Sequence, residues 1–309
     1  MSLLESMFGQ LMVPVSSRAK FGAMARGWLA GAVPELFPEW HGGLQSRPVA
    51  GPKPVIKPTG RERPPRDAGP PWGEPGQVFG ELKICPTHPV FHCRESLYSK
   101  DAWQEFLAGL EAAPCRASVS VGALDDRGYP PAGDFAWIDA ERERGWAKFT
   151  LVVPAEGTGW PHSPQLQDTW ARYLREQADQ VGACAGFMTD DTLPLFTTLQ
   201  VVTGRGDVRF TDSRKVLLGY SWVTIVAPAL AVRLGGSGAM EASGAFYEVS
   251  TLRNGGLWLR ATPTINEFTG DRIRKVFEAL APVLITGAAV NWQGEELRIV
   301  EGVDAADYQ

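Results

Sequence analysis

The chain has 309 residues, 44% of them hydrophobic and 21% charged, with a formal net charge of −5. That composition is globular and supports a sizeable core in one large or two smaller domains. The acidic balance argues against a general nucleic-acid binder, which needs a concentrated basic surface, and four cysteines are too few for a disulfide scaffold at this length.

Leu3, Leu4, Met7, Phe8, Leu11 and Met12 recur at helical spacing, and Pro14 closes the run. A second stripe, Phe21, Met24, Ala25, Trp28 and Leu29, predicts another helix. Residues 1–46 therefore read as an N-terminal helical segment. It either docks on the protein's own body or offers Leu4, Met7, Phe8, Leu11, Phe21 and Trp28 to a partner. Residues 47–79 are rich in Pro and Gly and poor in large aliphatics. Such a composition cannot bury enough apolar area to offset its ordering entropy, so a linker is expected.

The body is expected over 80–309, as two similar halves, about 80–205 and 206–309. In the first, Ser99 caps a helix whose apolar face is Trp103, Phe106, Leu107 and Leu110. Ala117, Val119 and Val121 alternate with Ser118, Ser120 and Gly122, as in a half-buried strand, and 147–153 alternates likewise. Ser163-Pro164 opens a helix that buries Leu166, Trp170, Tyr173, Leu174 and Val181. A short strand follows over 183–188. In the second half, 216–226 reads as a strand and Pro228–Leu234 as a short helix stopped by Gly235-Gly236. The strands 246–252 and 257–262 flank Asn254-Gly255, a strong hairpin signal. A helix after Thr269 and a last strand over 297–300 complete the pattern. The fold class expected is α+β: an antiparallel sheet with helices on one face, in two ferredoxin-like halves.

Few residues suggest chemistry. Cys85, His88, His92 and Cys93 crowd one short stretch and are of zinc-ligating type. If that stretch is a strand, His88 and His92 share one face while Cys85 and Cys93 share the other, which divides the set, so no metal is expected. Asp125-Asp126 reads as a turn, and Asp190-Asp191 as a turn or helix cap. His162 would need one of the latter pair as orienter, and no nucleophile motif lies nearby. Gly235-Gly236-Ser237-Gly238 follows a helix, and Glu241 stands where a dinucleotide fingerprint has its third glycine. No catalytic residue and no cofactor are therefore expected.

The order Gly219-Tyr220-Ser221-Trp222-Val223-Thr224, then a helix ending Leu234-Gly235-Gly236, then Leu257-Trp258-Leu259-Arg260-Ala261, then a helix running into Leu280-Ala281-Pro282-Val283 resembles the bacterial type VI immunity family. The resemblance covers roughly 216–284. It implies a protein that binds and neutralises a toxin delivered by a competitor, and it carries no catalytic residues. The function expected is that of a non-enzymatic, protein-binding immunity protein. The alternatives are a scaffold or assembly component of a bacterial secretion or phage-tail-like structure, tethered through its N-terminal helices, and a metal-dependent hydrolase. A protein partner is expected, and nucleic acid is not. The opening Met1-Ser2-Leu3-Leu4-Glu5 lacks the basic region of a secretory signal. The longest apolar stretch, Val223–Val232, contains Pro228 and is too short to cross a bilayer, which takes about 20 residues. A cytoplasmic address follows.

Overall fold

A computed structural model describes residues 6–49, 71–87, 93–131, 135–155, 158–190, 197–202, 213–287 and 304–308. The fold is α+β, and the chain divides into two compact units. The first runs over Val15–Thr158; the second combines Ser2–Pro14 with Gly159–Gln309. The boundary expected near residue 205 thus lies inside the second unit.

The first unit begins with helix α1 (Arg18–Leu36), whose Ser17 hydroxyl accepts from Lys20 N, and helix α2 (Pro38–Ser46). Strands β2 (Val78–Cys85) and β3 (Arg94–Leu97) follow, then α3 (Lys100–Glu111), β4 (Arg116–Ala123), β5 (Ala136–Glu143) and β6 (Trp146–Pro154). The strands are antiparallel, in the order β3-β2-β4-β5-β6. As predicted, Ser99 caps α3 by accepting from Ala102 N at 3.0 Å. The helical stripe around Phe21 and Trp28 is also as predicted. Its side chains are buried, Met24 only partly, with Phe21 and Trp28 both packing on Phe149 of β6. The span expected as linker is structured at both ends. Val49 is buried with Phe79, Leu97 and Leu124, and Trp72 packs edge-on to Phe79. Residues 50–70, its middle, lie outside the described residues.

The second unit opens with β1 (Ser6–Pro14), a strand where a helix was expected. The reason is physical: Met7 to Val13 is buried on both sides, Gln10 included, and a strand covered on both faces shows no period by which to tell it from a helix. It pairs antiparallel with β7 (Ala185–Thr189), Phe8 opposite Thr189 and Met12 opposite Ala185. Gly186 has room only for hydrogen there, since a Cβ would lie 2.5 Å from Gln10 O. Helix α4 (Pro164–Val181) precedes β7, and its Ser163 cap accepts from Leu166 N. Then come α5 (Thr198–Val202), β8 (Val223–Val226), α6 (Pro228–Arg233), α7 (Gly236–Ala242), β9 (Glu248–Thr251), β10 (Leu257–Arg260) and α8 (Asp271–Leu280). The order is β1-β7-β8-β10-β9, again antiparallel. Gly255, at φ 86°, makes the β9–β10 turn as predicted. Among the described residues, neither unit follows the β-α-β-β-α-β order of a ferredoxin-like half. The strand expected over 297–300 lies outside the described residues.

No helix among the described residues is long and apolar enough to cross a membrane.

Candidate functional site

Five of the six side chains that the sequence offered to a partner are core. Met7, Phe8 and Leu11 are buried in β1, and Phe21 and Trp28 in α1; Leu4 lies outside the described residues. Of the metal candidates, Cys85 and Cys93 form a disulfide. They stand at the position after the Ile84–Arg94 pair and so face each other across β2 and β3. Sulfurs joined in this way cannot serve as thiolate ligands. His88 and His92 lie outside the described residues. No group of three or more His, Cys, Asp or Glu able to hold a metal occurs among the described residues. Asp125 makes the predicted turn: its Oδ1 accepts from Tyr129 N and Arg127 N, and the Tyr129 N–H leads in holding its carboxyl below the ordinary range. His162 ends a short 3-10 turn that leads into α4.

The pairing register of the first unit makes its sheet two-faced. On one face, Ile84, Ala117, Ala140 and Phe149 form a row, and Leu82, Val119, Ile138 and Leu151 the next. The helices pack here, α1 through Phe21 and Trp28 and α3 where Gly109 meets Ile84. On the other face the corresponding rows are Glu95, Lys83, Ser118, Asp139, Thr150 and Arg116, Glu141, Lys148. Opposite charges meet across neighbouring strands: Lys83 with Glu95 at 2.7 Å, Arg116 with Asp139 at 2.7 Å, Lys148 with Glu141 at 3.0 Å. Arg116 also lies over the Trp137 ring, 5.3 Å from its centre. Except for Asp139, these charged side chains are partly exposed. The face presents donors and acceptors in a fixed register, which suits recognition of another polar surface.

Asp139 sits at the floor of this face, 0% exposed. Its Oδ1 is paired with Arg116, while its Oδ2 and the neighbouring Thr150 Oγ1 make no hydrogen bond among the described residues. Burial pushes its carboxyl up to about 6, against the pull of Arg116, and Glu141 adds to the rise. Because the folded pKa is raised above the ordinary 3.8, the folded chain holds more proton than the unfolded one between the two values. Asp139 therefore contributes stability that is complete below about pH 4 and is lost as pH climbs to about 6, a span worth about 3 kcal/mol. Asp139→Asn should remove that fall. Urea unfolding of both proteins at pH 4.5 and 7 checks it, and an equal change between the two pH values in wild type and variant would refute the assignment.

The second unit holds the other dense polar group, on the strand the sequence singled out. Arg260 of β10 is buried, with its guanidinium between the Trp222 ring at 4.9 Å and the Tyr247 ring at 5.6 Å. Its Nη1 donates to Asp168 Oδ1 at 2.7 Å and lies 4.0 Å from Glu248 Oε2, and its Nη2 donates to Pro263 O. Glu248 is also paired with Arg175 of α4. Trp222 Nε1 donates to Thr262 O at 2.9 Å. Gln167 of α4 ties the same region to the turn after β10, accepting from Ile265 N and donating to Asn266 Oδ1. Arg260 was legible as part of a motif; its partners, up to 92 residues away, were not.

No protein-family model and no curated protein matches the sequence. Among solved structures, the fold is similar to the Pseudomonas aeruginosa T6SS protein PA0821, with a TM-score of 0.52 and 11% identity over 98% of this chain and 81% of that one. A complex of the toxic C-terminal tip of CdiA from Pseudomonas aeruginosa with an immune protein matches over 60% of this chain and 86% of that one, at 5% identity and a TM-score of 0.25, too low to carry weight.

Proposed function

We propose that the chain is a non-enzymatic protein-binding protein that neutralises a bacterial toxin. The observation that carries this reading is the similarity of fold to a T6SS protein over 98% of the chain. The order of motifs through Trp222, Leu234-Gly235-Gly236 and Leu257–Ala261 supports it, and so does a polar sheet face built of ion pairs in register. Such a face favours recognition through charge complementarity, which fixes partner choice and register more than it adds raw affinity.

A toxin-like reading frame is the expected neighbour of the gene, and its product is the partner to test. Co-expression should protect a sensitive strain, and the purified proteins should form a complex by size-exclusion chromatography with light scattering. Lys148→Glu places two carboxylates together on the polar face and should weaken that complex at least tenfold. Failure to bind or protect would sink the reading. Co-purification with secretion-structure proteins, without protection, would favour the assembly-component alternative, which the description of PA0821 as a T6SS protein also accommodates.

A further inference from the structure

Among large apolar side chains of the described residues, two stand out in solvent: Val232 at 79% and Tyr247 at 62% exposure. They differ in support. Val232 projects from a short helix, whereas Tyr247 is held. Its backbone N–H donates to Arg260 O at 2.9 Å, and one side of its ring covers the Arg260 guanidinium. Trp222, Arg260 and Tyr247 thus form a stack that starts in the core, where Trp222 is 0% exposed, and ends at the surface. Asp168, whose side chain is 61% exposed, is fixed at the rim of the same stack by its bond to Arg260.

The charges in this stack are arranged by depth. The cation is underneath, with the Arg260 side chain 5% exposed and engaged by Asp168, Glu248 and the Pro263 carbonyl. What solvent meets is the Tyr247 ring and the Asp168 carboxylate, with the Arg175–Glu248 pair, 38% and 25% exposed, beside them. An aromatic face attracts a cation through its ring quadrupole, and a carboxylate at its rim adds a charged acceptor. A tyrosine whose backbone is hydrogen-bonded and whose ring lies against a buried guanidinium has the character of an interface anchor. We infer that Tyr247 and Asp168, propped on buried Arg260, form an anchor that takes an arginine or lysine side chain from a basic segment of a protein partner. This rests on the protein-binding reading and adds to it the surface and the chemistry of the partner.

Wild type, Tyr247→Ala, Tyr247→Phe, Asp168→Asn and Val232→Ser are each titrated calorimetrically with a hexa-arginine peptide at low ionic strength, after circular dichroism has shown them folded. Wild type should bind saturably. Tyr247→Ala and Asp168→Asn should each lose tenfold or more in affinity, Tyr247→Phe should retain it, and Val232→Ser should match wild type. Equal affinity in all five proteins, or no saturable binding by wild type, would overturn the anchor. The product of a neighbouring toxin-like reading frame supplies an independent arm: if wild type and Tyr247→Ala bind it equally, the anchor fails while the neutralising function stands. If neither binds it and the peptide result holds, that function fails while the cation site stands.

Discussion

Trp222→Ala should destabilise the protein by about 3–5 kcal/mol, the usual cost of truncating a large buried aromatic side chain. Trp222 is fully buried, and three losses coincide there: the packing of the ring, the Nε1 bond to Thr262 O, and the ring face against the Arg260 guanidinium. The third matters because Arg260 stays behind. A buried cation that loses part of its surroundings and borders a new cavity is poorly solvated. Trp222→Phe should cost less, since it keeps an aromatic ring while giving up the hydrogen bond, itself worth about 1 kcal/mol. Domains are stable by only about 5–15 kcal/mol, so the alanine variant should be mostly insoluble at growth temperature or melt far below wild type. Chemical unfolding of both variants checks the ranking; an alanine variant within 1 kcal/mol of wild type would contradict it.

Removing residues 1–14 should have the larger effect. A detachable N-terminal segment could be cut off with no change in melting temperature, and the strand β1 forbids that. Met7, Phe8, Leu11, Met12 and Val13 are all buried, and five successive residues are in register with β7. At about 1.5–3 kcal/mol for each large buried side chain, their loss equals or exceeds the stability of a typical domain. It would also expose the edge of β7 and invite pairing between molecules. The shortened chain should show no cooperative thermal unfolding of the second unit. A melting temperature within a few degrees of wild type would show that β1 is dispensable.

How far the sequence was legible depends on whether the deciding signal was local. The caps at Ser99 and Ser163, the stop at Gly235 and the turn at Asn254-Gly255 are set by a few neighbouring residues, and each appears where predicted. Strand β4 was legible because serines alternate with valines, the pattern of a sheet with one apolar and one polar face. β5 carries the same alternation, Ala136, Ile138 and Ala140 against Trp137, Asp139 and Glu141, but its apolar members are mostly small and it was not recognised. β1 is not legible as a strand because both of its faces are buried, Gln10 included, and its sequence shows no alternation. The sites were the least legible. The rows of ion pairs need the register of five strands, and the stack on Arg260 needs Asp168, Trp222 and Tyr247, which only the fold brings together.

The place of β1 also constrains synthesis. Phe8 pairs across from Thr189, so β1 leaves the ribosome about 180 residues ahead of β7, the strand it pairs with in its own unit. At roughly 5–20 residues per second, β7 follows β1 by roughly 10–40 s, a delay in which the apolar side chains of β1 are open to chaperones and to other nascent chains. The intervening first unit, Val15–Thr158, is complete before then and is free to fold while its neighbour waits. Yield in a heterologous host should therefore depend on translation speed and chaperone supply more than the stability of the finished protein would suggest.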